Sequence, residues 1–301
     1  MVRLAGLVLL TSYSIVVAAE PPLEAKLKLL AVAHKGKVAV MVKHLDTGEV
    51  TEIDADTVMP TASLIKVAVM VEAYWQAEEK KVDLAEMITL TKDDKVQGAG
   101  ILTQHFSDGM TMPLRDAVRL MIVYSDNTAT NMVLDKIGIK NVNDRMESLG
   151  LKNTKINAKV FKGSTTSVDP ERTKHYGLGS TTAREMASLM EMIHAGKVVT
   201  PEACALMKGH LFANDDKEQM VRFLPAGVKT AHKTGAVSAS RTDAGIIYIP
   251  DSADTKKKQT VAICVLTNDN EDKRWIIDNG GQVTIARIAR EVHDWYGKKK
   301  E

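Results

Sequence analysis

The chain of 301 residues is predicted to fold as an α/β protein in which an all-helical lobe is inserted into a sheet lobe built from both chain ends. Three observations predict it. Short β-rich runs joined by a turn stand near the N-terminus, helical periodicity dominates the middle, and β-rich runs return before a last amphipathic helix. A composition 45% hydrophobic and 26% charged supplies apolar surface for one large domain or two lobes.

The elements follow in order. Arg3 precedes an apolar run, Leu4 to Val17, that leads into Ala18-Ala19-Glu20, a small-residue pattern suited to cleavage after Ala19. Residues 1–19 are therefore expected to be a signal peptide, with a catalytic domain over 20–301 working in a periplasm or outside the cell; a retained anchor is the alternative. No cysteine at the cleavage point indicates lipid attachment. Leu23 to His34 is amphipathic, and Lys37–Val42 and Val50–Ala55 read as two strands of an antiparallel sheet edge, turned through Asp46-Thr47-Gly48. Helical periodicity then covers Leu64–Gln76, Leu114–Val123, Ala129–Ile137, Val142–Leu149, Ala183–His194 and Pro201–Leu211. Val228–His232, Ala244–Ile249 and Thr260–Leu266 are strands, and Val283–Tyr296 is the closing helix. The sheet lobe thus takes about 20–60 and 212–301, the helical lobe about 61–211.

Several function classes are disfavoured. Forty basic against 38 acidic residues, a formal charge of +2, gives no electrostatic case for a nucleic-acid partner. The runs Lys256-Lys257-Lys258 and Lys298-Lys299-Lys300 read as a solvated loop and a frayed tail. The eight histidines contain no His-x-x-x-His pair, so no metal site and no cofactor is expected. Cys204 and Cys264 either pair in an oxidising compartment or stay as two buried thiols, the preferred reading. A monomer acting on a small molecule, with no stable membrane insertion after leader cleavage, is the expectation for the rest.

Three strings carry the chemistry: Ser63-Leu64-Ile65-Lys66, Ser125-Asp126-Asn127 and Lys233-Thr234-Gly235. Each alone has an ordinary structural reading, respectively a helix cap with a solvated lysine, a turn, and a strand end. In this order they read as a serine nucleophile served by lysines and a second serine, without histidine. Ser63 is expected in the first turn of a long helix, where free N–H groups favour a developing alkoxide, and Lys66 one turn on along the same face. Desolvation and the neighbouring cation Lys233 would lower the Lys66 pKa enough for it to act as a base. Ser125 would relay a proton to the leaving nitrogen, and Asn127 would fix Lys66 and a substrate amide. Lys233 and Thr234, at the end of an inner strand, would bind a substrate carboxylate beside Gly235. The N–H of Ala236, just past that motif, would pair with the N–H of Ser63 as an oxyanion hole. Arg241 reads either as a supplement to the carboxylate site or as a solvated loop residue.

These strings, with Gly98-Ala99-Gly100-Ile101-Leu102, Leu114 to Asn131, Ala231 to Gly235 and Asp243 to Tyr248, resemble the class A serine β-lactamases within the penicillin-recognising enzymes, over Leu23 to Trp295. The resemblance implies a β-lactamase-like α/β fold, with a five-stranded antiparallel sheet flanked by helices from both chain ends. It also implies acylation of Ser63 by a β-lactam or a peptidoglycan-like peptide amide. One departure bears on release. Relatives that turn over β-lactams efficiently carry a water-activating glutamate, as Glu-x-x-Leu-Asn, before the Thr-Thr helix start. Here Asn157-Ala158-Lys159-Val160-Phe161-Lys162 holds no carboxylate, and the loop runs on, longer than usual, to Ser180-Thr181-Thr182. Glu171 or Asp169 is left as a substitute, or Lys66 itself serves deacylation, with Glu171 then an exposed residue paired with Arg172 or Lys174. The readings are a β-lactamase, a penicillin-binding carboxypeptidase or transpeptidase with slow release, or a non-catalytic sensor domain.

Overall fold

The computed structural model describes residues 20–250 and 258–297. The expected leader lies outside the described residues, as do the two lysine runs apart from the backbone of Lys258. Among the described residues no helix is long and apolar enough to cross a membrane.

A five-stranded antiparallel sheet joins the chain ends. Its strands are β1 (Lys37–His44), β2 (Val50–Ile53), β3 (Lys229–Val237), β4 (Ser240–Pro250) and β5 (Lys258–Asn268), in the spatial order β2-β1-β5-β4-β3. The register sets Lys37 opposite Asn268 and Lys233 opposite Ala244. Side chains alternate across the pleat. Val38, Val40, Val42, Val261, Ile263 and Val265 pack with Leu23 and Leu27 of α1 (Leu23–Ala33) and with Ile285, Ile288 and Val292 of the last helix, Gly280–Gly297. Ala39, Met41, Ala262, Cys264 and Leu266 face the helical lobe. Both faces are covered, which is why β1 and β5 read as continuous apolar runs rather than alternating ones.

The helical lobe is organised around α2 (Lys66–Glu78). Val67 to Val71 are fully buried, so α2 is apolar nearly all round and runs through the core rather than along its surface. Truncating Met70 to alanine there costs about 2–5 kcal/mol through lost contacts and the cavity left behind. Against α2 pack α3 (Leu114–Val123), α4 (Asn127–Ile137) and α5 (Ile139–Ser148). Further along stand α6 (Pro170–Tyr176), α7 (Ala183–His194) and α8 (Pro201–Phe212); α7 and α8 are started by Thr182 and Thr200, whose side chains accept from Glu185 N and Ala203 N.

Two strand placements differ from the sequence reading. β1 lies inside the sheet, between β2 and β5, because its apolar run buries both faces; of this pair β2 alone is an edge. The Lys233-Thr234-Gly235 strand is the opposite edge, not an inner strand, and the triplet sits within β3 rather than at its end. An edge leaves backbone N–H and C=O groups unpaired on one side, where an extended substrate can add to them. Cys204 and Cys264 are both buried free thiols.

Candidate active site

Ser63 stands where the two lobes meet. It lies in a 3-10 turn, Ala62–Ile65, and α2 begins only at Lys66, so the nucleophile precedes the α-helix instead of opening it. The turn is tight because both sides are anchored: Thr61 N donates to Gly179 O, and Thr242 Oγ1 donates to Thr61 O at 2.8 Å. Ala62 takes a left-handed φ of +46° to make the entry. Gly235 belongs to the same packing, since a Cβ there would stand 2.4 Å from Thr61 O and 2.8 Å from Leu64 N. Only glycine lets β3 approach the Ser63 turn so closely.

Lys66 and Lys233 are both fully buried. Lys66 Nζ donates to Ser125 O at 2.6 Å and to Asn127 Oδ1 at 2.9 Å, and lies 3.2 Å from Ser125 Oγ. Lys233 Nζ reaches Ser125 Oγ at 3.1 Å and Thr234 O at 2.7 Å. Ser125 Oγ is thus bracketed by two amines. Burial, and next the Lys233 charge, hold the Lys66 pKa well below the ordinary lysine value. Burial lowers Lys233 to about 8, with Asp216 and Asp243 opposing. A neutral Lys66 has two N–H groups and one lone pair; the two carbonyl oxygens use the N–H groups, leaving the lone pair for a hydroxyl.

The loop bearing Ser125 is held in a strained form. Ser125 has φ +53°, and Asp126, nearly fully buried, accepts from Ile101 N, Leu102 N and Ala129 N at 2.7 to 2.8 Å while capping α4. Asn127 is fixed by donating from Nδ2 to Gln97 O at 3.0 Å. The structure therefore brings Ser63, Lys66, Ser125, Asn127, Lys233, Thr234, Gly235 and Ala236 to one place between α2, the α3–α4 loop and β3.

A cavity of about 290 Å³ opens beside Ser63, lined by Ala62, Asn127, Ala158, Val160, Phe161 and Leu178, with Ala236 and Val237 on the β3 side. Among the described residues no carboxylate lines it. Asp169 caps α6 by accepting from Arg172 N, and Glu171 is exposed on the first turn of that helix, so neither enters the cavity. The segment read as loop is helical here, and the Asp-Pro pair that starts α6 is a signal the sequence carried. Val160 stands in their stead: Asn131 Oδ1 accepts from Val160 N at 2.8 Å and Asn131 Nδ2 donates to Val160 O at 3.0 Å.

Two further residues were not legible. Arg241 neither reaches the cavity nor is solvated; it is fully buried, bonded to the carbonyls of Val237, Ser240 and Arg274 and to Gln282 Oε1, and stacked 4.6 Å from the Trp275 ring centroid. His232 Nδ1 pairs with Asp243 Oδ1 at 3.0 Å inside the sheet, where burial pushes the Asp243 carboxyl up against the opposing pull of His232. Among the described residues no three His, Cys, Asp or Glu side chains gather as metal ligands.

The sequence model of the β-lactamase enzyme family matches residues 22–296. The chain belongs to this family. It is a serine β-lactamase-like hydrolase of class A fold. The extended-spectrum β-lactamase PER-1 of Pseudomonas aeruginosa is 22% identical over 94% of this chain and 90% of its own length. A solved β-lactamase of Sphaerobacter thermophilus is 26% identical, covering 91% of this chain and 96% of its own, with a TM-score of 0.77. A point variant of the penicillin-binding protein PBP-A, solved as its acyl-enzyme complex with penicillin G, is 25% identical, covers 92% and 97%, and has a TM-score of 0.78. The family thus includes β-lactamases and the fold extends to a penicillin-binding protein.

Proposed function

We propose that this enzyme opens β-lactam amides through an acyl-enzyme on Ser63 and releases the acyl group slowly. The observation that supports acylation is the Ser125 hydroxyl held at 3.2 and 3.1 Å between two buried lysines beside Ser63. The Lys66 lone pair takes the Ser63 proton, directly or through Ser125, as Ser63 Oγ adds to the carbonyl carbon. The oxyanion lies between the N–H groups of Ser63 and Ala236, a kind of contact that lowers an acyl-transfer barrier by about 3–4 kcal/mol per donor. The C–N bond then breaks, and Ser125 passes a proton to the leaving nitrogen. Lys233 and Thr234 hold the substrate carboxylate by charge and hydrogen bond.

Slow release follows from the wall opposite. Hydrolysis of the ester needs a base to activate water, and Val160 and Ala158 offer none; the remaining base, Lys66, is committed to Ser125 and Asn127 on the acylation side. A peptidoglycan-directed carboxypeptidase or transpeptidase is favoured by the same apolar wall, as the second reading. A non-catalytic sensor domain finds no support in a site with both lysines and both serines in place. An N-terminal leader ending at Ala19, export and a monomeric catalytic unit over 20–301 belong to this proposal; N-terminal sequencing of secreted protein and sedimentation test them.

The deciding experiment mixes the protein with a chromogenic cephalosporin and follows turnover and intact mass together. A stoichiometric burst with a mass adduct that decays over minutes or longer is expected. Rapid multiple turnover overturns slow release, and no adduct overturns acylation. Ser63→Ala abolishes the adduct if the nucleophile is correctly assigned.

A further inference from the structure

Phe161 is out of place for a structural residue. It is 60% exposed, and its φ of +57° is a left-handed conformation that bulky side chains rarely adopt. Its neighbours impose it: Asn131 clamps Val160 on both backbone sides, and Lys162 N bonds back to Lys159 O. The ring is thereby set across the mouth of the Ser63 cavity. A Cβ on Gly98 would stand 3.0 Å from Phe161 Cε2 and 2.7 Å from Asn127 Nδ2, so the ring edge rests on the Gly98 backbone beside Asn127. The rest of the wall is Ala158, Val160, Leu178 and Val237. Among the described residues the one ionic side chain on it, Lys159, is engaged by Asp135, and the Thr173 hydroxyl is engaged by Asp169 O and Ser167.

We propose that Phe161 is a specificity-determining residue that receives an apolar, aryl-bearing acyl side chain of the substrate in the cavity beside Ser63. The inference rests on the acyl-enzyme reading above and names its substrate class. A cavity of about 290 Å³ with no free charge holds one aromatic acyl group in contact with the ring, edge to face or stacked. An acyl chain carrying its own ammonium and carboxylate would lose their hydration against Val160 and Phe161 without finding a partner. A strained, exposed aromatic at a pocket mouth is the pattern of a residue kept for contact with ligand at the expense of stability.

The test compares three penicillins that share one nucleus: 6-aminopenicillanic acid, benzylpenicillin and a penicillin with an aminoadipoyl chain. Second-order acylation constants are read by intact mass for the native chain, Phe161→Gly and Phe161→Ala. In the native chain benzylpenicillin is expected to acylate at least about tenfold faster than the aminoadipoyl compound, the scale of one good apolar contact. Phe161→Gly, which accepts φ +57° freely, brings that ratio close to one by slowing benzylpenicillin selectively, and holds or raises the melting temperature. A native ratio near one, or a variant that slows all three compounds alike, overturns the assignment of Phe161 while leaving acylation intact. No adduct with any of the three on folded native protein overturns the acyl-enzyme reading, and this inference with it.

Discussion

Val160→Glu is the perturbation that separates acylation from release. Residue 160 lines the Ser63 cavity with Asn127 and is 8% exposed, and both of its backbone polar groups are held by Asn131. The side chain can therefore change while the loop stays. A carboxylate introduced there faces the space an attacking water must occupy. General-base assistance of this kind accelerates a step by about 10² to 10⁴, or roughly 3–5 kcal/mol of barrier. The gain is pH-dependent: burial raises the new carboxyl's pKa, so deacylation speeds up as pH rises through it. Placing it in an apolar wall costs about 1–3 kcal/mol of stability. Burst acylation by a penicillin, followed by intact-mass decay of the adduct, gives both rates. The expected outcome is unchanged acylation within about threefold and an adduct lifetime shortened about a hundredfold or more, with Val160→Gln showing no shortening. A folded Val160→Glu chain whose adduct decays at the native rate across pH 5 to 9 refutes the claim that the missing carboxylate at this wall limits release.

Gly235→Ala puts a methyl 2.4 Å from Thr61 O, a backbone atom of the nucleophile's turn, so β3 and the Ser63 turn must separate; acylation should fall about a hundredfold or more with a loss of about 1–3 kcal/mol in denaturant unfolding. Acylation of carboxylate-bearing β-lactams should decline above about pH 8, where Lys233 gives up its proton, whereas a decarboxylated analogue should lack that alkaline limb in stopped-flow measurements. His210, held to about 4 by burial and the Arg119 charge while its unfolded form titrates near 6.5, stays neutral when the unfolded chain gains a proton. Stability is then lost as pH falls from about 6.5 to about 4, by up to about 3 kcal/mol, and His210→Gln should flatten that limb of the urea-unfolding profile.

Much of this was written in local pattern. The helices Leu114–Val123 and Ala183–His194 match their apolar periodicity residue for residue, since each carries one clear buried face. The three strings converge because an ordered set of polar residues at turn and strand positions has few other uses. Strand order is a different kind of information. Nothing local in Lys229–Val237 tells an edge from an interior strand, because both faces are buried in either case and only the missing neighbour differs. The 3-10 turn at Ser63 likewise depends on Thr242 and Gly179, remote in sequence. Arg241 misleads for a related reason: arginine on a hairpin is ordinarily solvated, and its burial here rests on carbonyls contributed by residues such as Val237 and Arg274 that no spacing rule connects to it.

The register that places Lys37 opposite Asn268 also governs how the molecule is made. β1 emerges early in synthesis, yet its interior partner is supplied only when nearly the whole chain exists, while α2 and its neighbours can associate through contacts much closer in sequence. The central ladder must therefore close late and over a long loop, a topology that slows folding and prolongs the time in which the apolar edges of β1 and β5 lie open to other chains. Early closure of the helical lobe and late closure of the sheet are thus separated by most of the length of the chain.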